Sequence, residues 1–193
     1  MNSFEKFYNK TLKYELIDKF NYQNIKNLPK LKKIILSFNC KTSELKNLAI
    51  TLLALELIVK QKGTLTKAKR PNILLKIRKG HPTGCKVTLQ KKQIFKFFEK
   101  IVTEILPKLK NLKELRFTNK MKKNTFSYEI DDTFGFFELE QHYYIFNNIP
   151  KLNITLITNS ETNIEMLFLL KSFQFPFKIK KLEISRHNSI GRV

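Results

Sequence analysis

Between Lys76 and Leu89 the chain reads Lys-Ile-Arg-Lys-Gly-His-Pro-Thr-Gly-Cys-Lys-Val-Thr-Leu, with cations and hydroxyls interleaved among apolar residues. Strand side chains alternate faces, so Ile77, Cys85, Val87 and Leu89 can point to a core while Lys76, Arg78, Lys86 and Thr88 point away. Gly80 and Gly84 supply backbone freedom and Pro82 stiffens the segment between them. The pattern predicts strands at 72–78 and 85–91, joined by a projecting loop of Lys79, Gly80, His81, Pro82, Thr83 and Gly84. A cationic, hydroxyl-bearing hairpin has the chemistry to hold phosphates and ribose hydroxyls rather than to break bonds.

Residues suited to catalysis are sparse. His81, His142 and His187 stand far apart, without the cysteine or carboxylate spacing of a metal site. Asp131 with Asp132, and Glu138 with Glu140, could supply paired acids for a nuclease, although adjacent acids more often sit on loops and strand edges. No Gly-x-Gly-x-x-Gly or Walker pattern marks a nucleotide site. Cys40 and Cys85 form no framework or metal-ligand cluster and read as reduced, buried thiols. These features predict no catalytic residue, no metal and no cofactor.

The elements that must position the basic hairpin follow from periodicity. A helix is expected over residues 3–19, with Phe4, Phe7, Leu12, Leu16 and Ile17 on its apolar face, and a strand over Leu31–Phe38 after Pro29. A second helix is expected to start at Thr42 or Ser43, carry Leu45, Leu48, Leu52, Leu55 and Val59, and end at Gly63. Its other faces are also mostly apolar, which predicts central burial. A short strand at 64–68 precedes the hairpin. A third helix over 91–106 should stop before Pro107. Residues 108–124 read as a Lys-rich loop, 125–130 and Leu152–Thr158 as strands, and 131–150 as an aromatic-rich region without clean period. Ser160 can cap a last helix bearing Ile164, Leu167 and Phe168. The class that results is α+β: one curved, largely antiparallel sheet with helices on one face. Residues 1–177 read as a single domain and 178–193 as a basic tail.

The chain has 193 residues, 42% of them hydrophobic, enough for a real core. Its formal charge of +21, from 37 Lys and Arg against 16 Asp and Glu, favours a polyanionic partner. Nucleic acid is preferred to an anionic membrane, because the basic residues fall on strands rather than on a basic helix. The apolar run Leu48–Val59 is too short to span a bilayer and contains Glu56, so no membrane insertion is expected. The N-terminus lacks the features of a secretory or import leader. Abundant Lys, Asn, Ile and Phe with scarce Gly suggest an AT-rich genome.

Several segments in series resemble one family, the universal large-subunit ribosomal protein uL5. Phe20-Asn21-Tyr22 with Leu28-Pro29-Lys30-Leu31 resembles the entry to its first strand, and Leu65-Thr66-Lys67-Ala68-Lys69 its second strand. Ile77 to Leu89 resembles its central hairpin. Phe97-Phe98-Glu99-Lys100 with Leu106-Pro107-Lys108 resembles the following helix, and Asn153–Thr158 with Phe173-Gln174-Phe175-Pro176-Phe177 the closing elements. The resemblance covers about residues 4–177 and implies a structural protein of the ribosome's central protuberance.

What the resemblance implies for sites is specific. Ser37, Gln61 and Thr88 fall where the family contacts 5S ribosomal RNA. Lys33, Thr66, Lys67, Lys69, Lys76, Arg78 and Lys86 are expected to bind ribosomal RNA, 5S or large-subunit, on the same side. At Ser37 the family usually carries Asn, so an amide able to make several bonds is a single hydroxyl here. The loop Lys79–Gly84 is expected to touch peptidyl-site transfer RNA; His81 and Thr83 replace the family's usual residues. The Lys-rich segment Lys120–Lys123 and the tail cations Lys178, Lys180, Lys181 and Arg186 are expected to meet ribosomal RNA or the small-subunit head protein of the S13 family. With the AT-rich bias, the resemblance implies an organelle-encoded protein of the mitochondrial matrix ribosome. A plastid or bacterial cytoplasm stays open. Rival classes are a basic RNA-processing nuclease and a peripheral membrane RNA-binding protein.

Overall fold

Even-numbered residues from Ile34 to Phe38 are apolar and their neighbours mixed, and this alternation recurs in four segments that pair into one sheet. The computed structural model describes residues 2–40, 44–109, 121–122 and 124–175. Its strands are β1 (Leu31–Asn39), β2 (Thr64–Lys67), β3 (Pro82–Leu89), β4 (Met121–Lys122), β5 (Thr125–Ile130) and β6 (Leu152–Thr158). They lie in the order β2-β3-β1-β6-β5-β4, and every pairing is antiparallel.

One face of this sheet is covered. Ile34, Leu36 and Phe38 of β1, Cys85, Val87 and Leu89 of β3, Phe126, Tyr128 and Ile130 of β5, and Leu152, Ile154 and Leu156 of β6 are all buried. Their covering helices are α1 (residues 3–19), α2 (Leu45–Val59), α3 (residues 92–108), the short α4 (Phe137–Glu140) and α5 (Tyr143–Phe146), and α6 (Asn163–Ser172). Helix α1 runs from Ser3 to Lys19 with a π turn at Tyr8–Leu12, and α3 runs from Lys92 to Lys108 with one at Ile101–Ile105. An aromatic seam ties them together: Phe98 of α3 stacks on Phe175 and meets Phe173 edge-on, while Phe4 of α1 reaches both Phe98 and Phe173. Burying each such ring stabilises the fold by roughly 1.5–3 kcal/mol.

Several boundaries differ from expectation, each for a local reason. The expected strand at 72–78 is absent; only an Asn72–Ile77 bridge remains, and Lys76 takes a left-handed φ of 52°. Helix α2 ends at Val59, four residues before Gly63, and Lys60 itself adopts the left-handed cap with φ 57°. Its expected start at Thr42 or Ser43 lies outside the described residues. Leu45 and Leu53 of α2 are exposed, so the helix is half-covered rather than central. Helix α3 continues through Pro107 to Lys108. Thr162, not Ser160, caps α6: its hydroxyl accepts from the Glu165 N–H and donates to Glu165 Oε1. Ser160 is instead buried against the Thr158 hydroxyl at 2.7 Å. The inward face of α6 is therefore Met166, Leu169 and Leu170, while Ile164 is exposed. In α1, Phe7 and Ile17 stay partly exposed and Tyr8 joins Leu12 and Leu16 in the core.

Candidate nucleic-acid interface

The odd-numbered side chains of β1 and their cross-strand partners form the uncovered face of the sheet, because directly opposed residues in antiparallel strands share a side. One row across it runs Thr64, Lys86, Ser37, Asn153 and Glu129, from β2 to β5. The next runs Thr88, Ile35, Thr155 and Ser127, and a third holds Lys33, Ile157 and Thr125. Five strands at about 4.8 Å spacing make the first row roughly 19 Å wide. Its members are half-buried or exposed. Two hydroxyls are engaged locally: Thr64 donates to the Lys86 carbonyl, and Ser127 and Thr155 bond each other at 3.0 Å. The hydroxyls of Ser37 and Thr88 make no hydrogen bond to other described residues. Such a face offers directional donors and acceptors at low relief, which suits ribose hydroxyls and base edges as well as phosphates.

From the edge of this face an arm projects, and it is built differently from the hairpin expected. The strand that flanks β3 on the side away from β1 is β2, and the connection between them is Ala68–His81. Ala68 and its carbonyl close the arm's base, donating to His81 O at 2.8 Å and accepting from Gly80 N at 2.9 Å. Gly80 has φ 87°, a left-handed value that glycine adopts without a Cβ penalty. Pro82, Thr83 and Gly84, expected in the loop, belong to β3. Gly84 lies between Asn39 and Thr66, and a Cβ there would sit 2.3 Å from the Phe38 carbonyl oxygen. Its missing side chain is a packing requirement of the sheet rather than a loop hinge. Lys76 and Arg78 therefore lie on the arm and not on a strand, while Ile77 between them is buried as its anchor.

The predicted residues thus fall into two groups. Lys33, Ser37, Lys86 and Thr88 come together on the sheet face, with Thr66 and Lys67 on the edge strand β2 beside them. Lys69, Lys76, Arg78, Lys79, Gly80 and His81 are exposed on the arm. Gln61 stands between α2 and β2, half-buried, with its carbonyl oxygen buried and unpartnered among the described residues. The side chains of Lys120–Lys123 and the tail cations lie outside the described residues.

Sequence reasoning missed three features. The polar face extends onto β5 and β6 through Thr125, Ser127, Asn153 and Thr155, which their own alternation could have shown. Between Glu56 and Glu99 the chain has twelve Lys or Arg and no acidic residue, so arm and adjoining edge carry one sign. Between Lys123 and Lys151 the reverse holds, with five acids and no Lys or Arg, four of the acids in the region 131–150 whose periodicity could not be read. That region folds into α4 and α5 and exposes Phe137, Tyr143, Tyr144 and Ile145.

Three of the four acids considered for a nuclease are engaged separately. Asp132 accepts from the Phe134 N–H, Asp131 pairs with Lys151 at 2.9 Å, and Glu138 pairs with Lys100 beside the Phe136 ring. The Asp131 carboxylate holds the Lys151 ammonium above the usual lysine range. Among the described residues no group of three His, Cys, Asp or Glu is placed to hold a metal ion. No described helix is long and apolar enough to cross a membrane.

Comparison with known proteins adds an independent line. Residues 82–177 match the model of the C-terminus of the ribosomal L5 protein family. The chain is 38% identical to large ribosomal subunit protein uL5m of Reclinomonas americana, over 91% of this chain and 98% of that protein. It is 36% identical to large ribosomal subunit protein uL5 of Wigglesworthia glossinidia brevipalpis, over 89% and 97% respectively. Nitrosomonas europaea uL5 is 31% identical over 89% of this chain and 96% of its own.

Proposed function

Because the chain belongs to the uL5 family of ribosomal proteins, we propose that it is a structural constituent of the large ribosomal subunit, in the central protuberance, acting by packing and charge neutralisation rather than catalysis. The observation that carries this reading is the joining of an acid-free basic arm to a wide, hydroxyl- and amide-bearing sheet face. Lys33, Lys67, Lys69, Lys76, Arg78 and Lys86 position phosphates, and each phosphate they neutralise releases counterions. Ser37, Thr66 and Thr88 add directional bonds, and the orphaned acceptor of Gln61 gains the partner that a buried carbonyl oxygen ordinarily has. The RNA held is 5S where the ribosome contains it and large-subunit RNA otherwise. The arm from Ala68 to His81 reaches toward peptidyl-site transfer RNA.

The stretch from Asp131 to Pro150 serves a different partner. It carries four acids and no Lys or Arg, so it disfavours a phosphate backbone and fits a basic protein neighbour, which makes it the contact with the small-subunit head or with adjacent large-subunit proteins. Residues 1–177 act as one unit and 178–193 as a basic extension onto RNA. The relation to uL5m points to an organellar ribosome, mitochondrial in the first instance.

The test is co-sedimentation of the tagged chain with large subunits in high-magnesium gradients. Recovery in the large-subunit peak is expected; recovery only in free or membrane fractions overturns the reading. In RNA titrations, Arg78→Glu with Lys86→Glu should flatten the plot of log affinity against log salt by about 1.4–1.8, since two phosphate contacts are lost. An unchanged slope would show that arm and face do not hold the RNA.

A further inference from the structure

The arm ends in apolar residues that its charge does not explain. Ile73 and Leu74 are 92% and 94% exposed, and Leu75 is about half exposed. They cap a closed turn rather than a loose loop. Asn72 and Ile77 exchange both backbone hydrogen bonds, at 2.8 and 2.9 Å, and Lys76 N–H donates to the Ile73 carbonyl at 3.0 Å. The Asn72 side chain also accepts from the Leu75 N–H, and Ile77 is buried at the base. The turn thus holds two aliphatic side chains out into water in a set geometry. Lys69, Arg70, Lys76, Arg78 and Lys79 are exposed on the same arm, which carries no acid.

We propose that this tip is a base-contacting wedge: Ile73 and Leu74 pack against an unstacked nucleobase of a folded RNA while the arm's cations hold its flanking phosphates. The partner must be polyanionic to satisfy the cations and must present an accessible apolar surface to the tip. An unpaired base in a loop or bulge offers both, since its ring faces are apolar and its backbone is charged. A regular duplex offers no such ring face, because its bases are stacked. An anionic bilayer also combines charge with apolar depth. However, the arm adjoins a sheet face whose Ser37 and Thr88 hydroxyls suit base edges, for which a lipid surface has no counterpart. The inference rests on the ribosomal RNA-binding reading and adds to it a contact that salt does not screen.

The test uses the full chain and the double variant Ile73→Ser, Leu74→Ser, whose exposed positions leave the core untouched. Binding is measured to an RNA stem with an open loop carrying 2-aminopurine, and to the same stem closed as an uninterrupted duplex. The variant should lose about tenfold in affinity for the looped RNA, with the salt slope and the duplex affinity unchanged and the 2-aminopurine response diminished. Equal losses on loop and duplex, or no loss on either, overturn the wedge. So does a loss confined to phosphatidylglycerol vesicles with RNA binding intact, which would assign the tip to a lipid surface. Failure of the unaltered chain to bind either RNA would instead refute the RNA-binding reading beneath it.

Discussion

Replacing Gly84 by Ala distinguishes two accounts of the same motif. If Gly84 were a loop hinge, alanine would cost little or would stabilise by about 0.4–1 kcal/mol through the unfolded chain. In the structure Gly84 lies within β3, opposite Asn39 of β1 and Thr66 of β2. Its added Cβ would stand 2.3 Å from the Phe38 carbonyl oxygen, 3.4 Å from the carbonyl carbon and 3.1 Å from Thr66 Oγ1. The first contact is with backbone, which cannot swing aside as the end of a flexible side chain can. Relief needs a shift of roughly 1 Å between β3 and β1, and β1 is also fixed by its ladder to β6 and by the fully buried Phe38. Overpacking of that kind costs roughly 2–4 kcal/mol. For a chain of this size the melting temperature should fall by roughly 5–15 °C. Gly80→Ala is the internal comparison: it meets no atom within 4 Å but must hold φ at 87°, so it should cost only about 1–2 kcal/mol. Urea and thermal unfolding followed by circular dichroism would measure both. A Gly84→Ala protein as stable as the parent, or more stable, would refute the placement of this motif in the sheet.

Two further outcomes follow from buried groups. Cys85 is fully covered and burial pushes its thiol above the usual range, whereas Cys40 is partly exposed beside the Thr51 hydroxyl. Alkylation of native protein followed by mass spectrometry should therefore modify Cys40 first and reach Cys85 only in denaturant; equal native labelling would contradict the packing of β3. Tyr8, whose hydroxyl donates to the Pro29 carbonyl, has its pKa raised from 10.0 to about 12 by burial. The folded state holds that proton more tightly, so its stability contribution is full below pH 10 and is lost as pH rises toward 12. Tyr8→Phe should show a shallower fall of the urea midpoint between pH 10 and 12 than the parent, with a remainder from Tyr22, raised to about 12 mainly by burial, and from Tyr128, which burial also holds above the usual tyrosine range. Parallel falls in both proteins would show that Tyr8 does not titrate with unfolding.

The amino-acid sequence by itself determined the class of fold and the character of the partner. Apolar alternation in Ile34–Phe38, Cys85–Leu89, Phe126–Ile130 and Leu152–Leu156 is a local property, and it survives because one face of the sheet is buried and the other is not. The charge of +21 and the segments resembling uL5 were equally legible. What strand pairs with what was not, because it depends on contacts between segments distant in the chain. Lys76–Arg78 alternates as well as Thr64–Lys67, yet only the latter reaches β3, and the left-handed Lys76 ends any strand there. Only the tertiary structure could therefore move Pro82–Gly84 from loop tip to strand and place Ile73 and Leu74 at the end of the arm. It alone gathered Ser37, Lys86, Thr88, Asn153 and Ser127 from four strands onto one face, since cross-strand register, not spacing in the chain, decides which side chains meet.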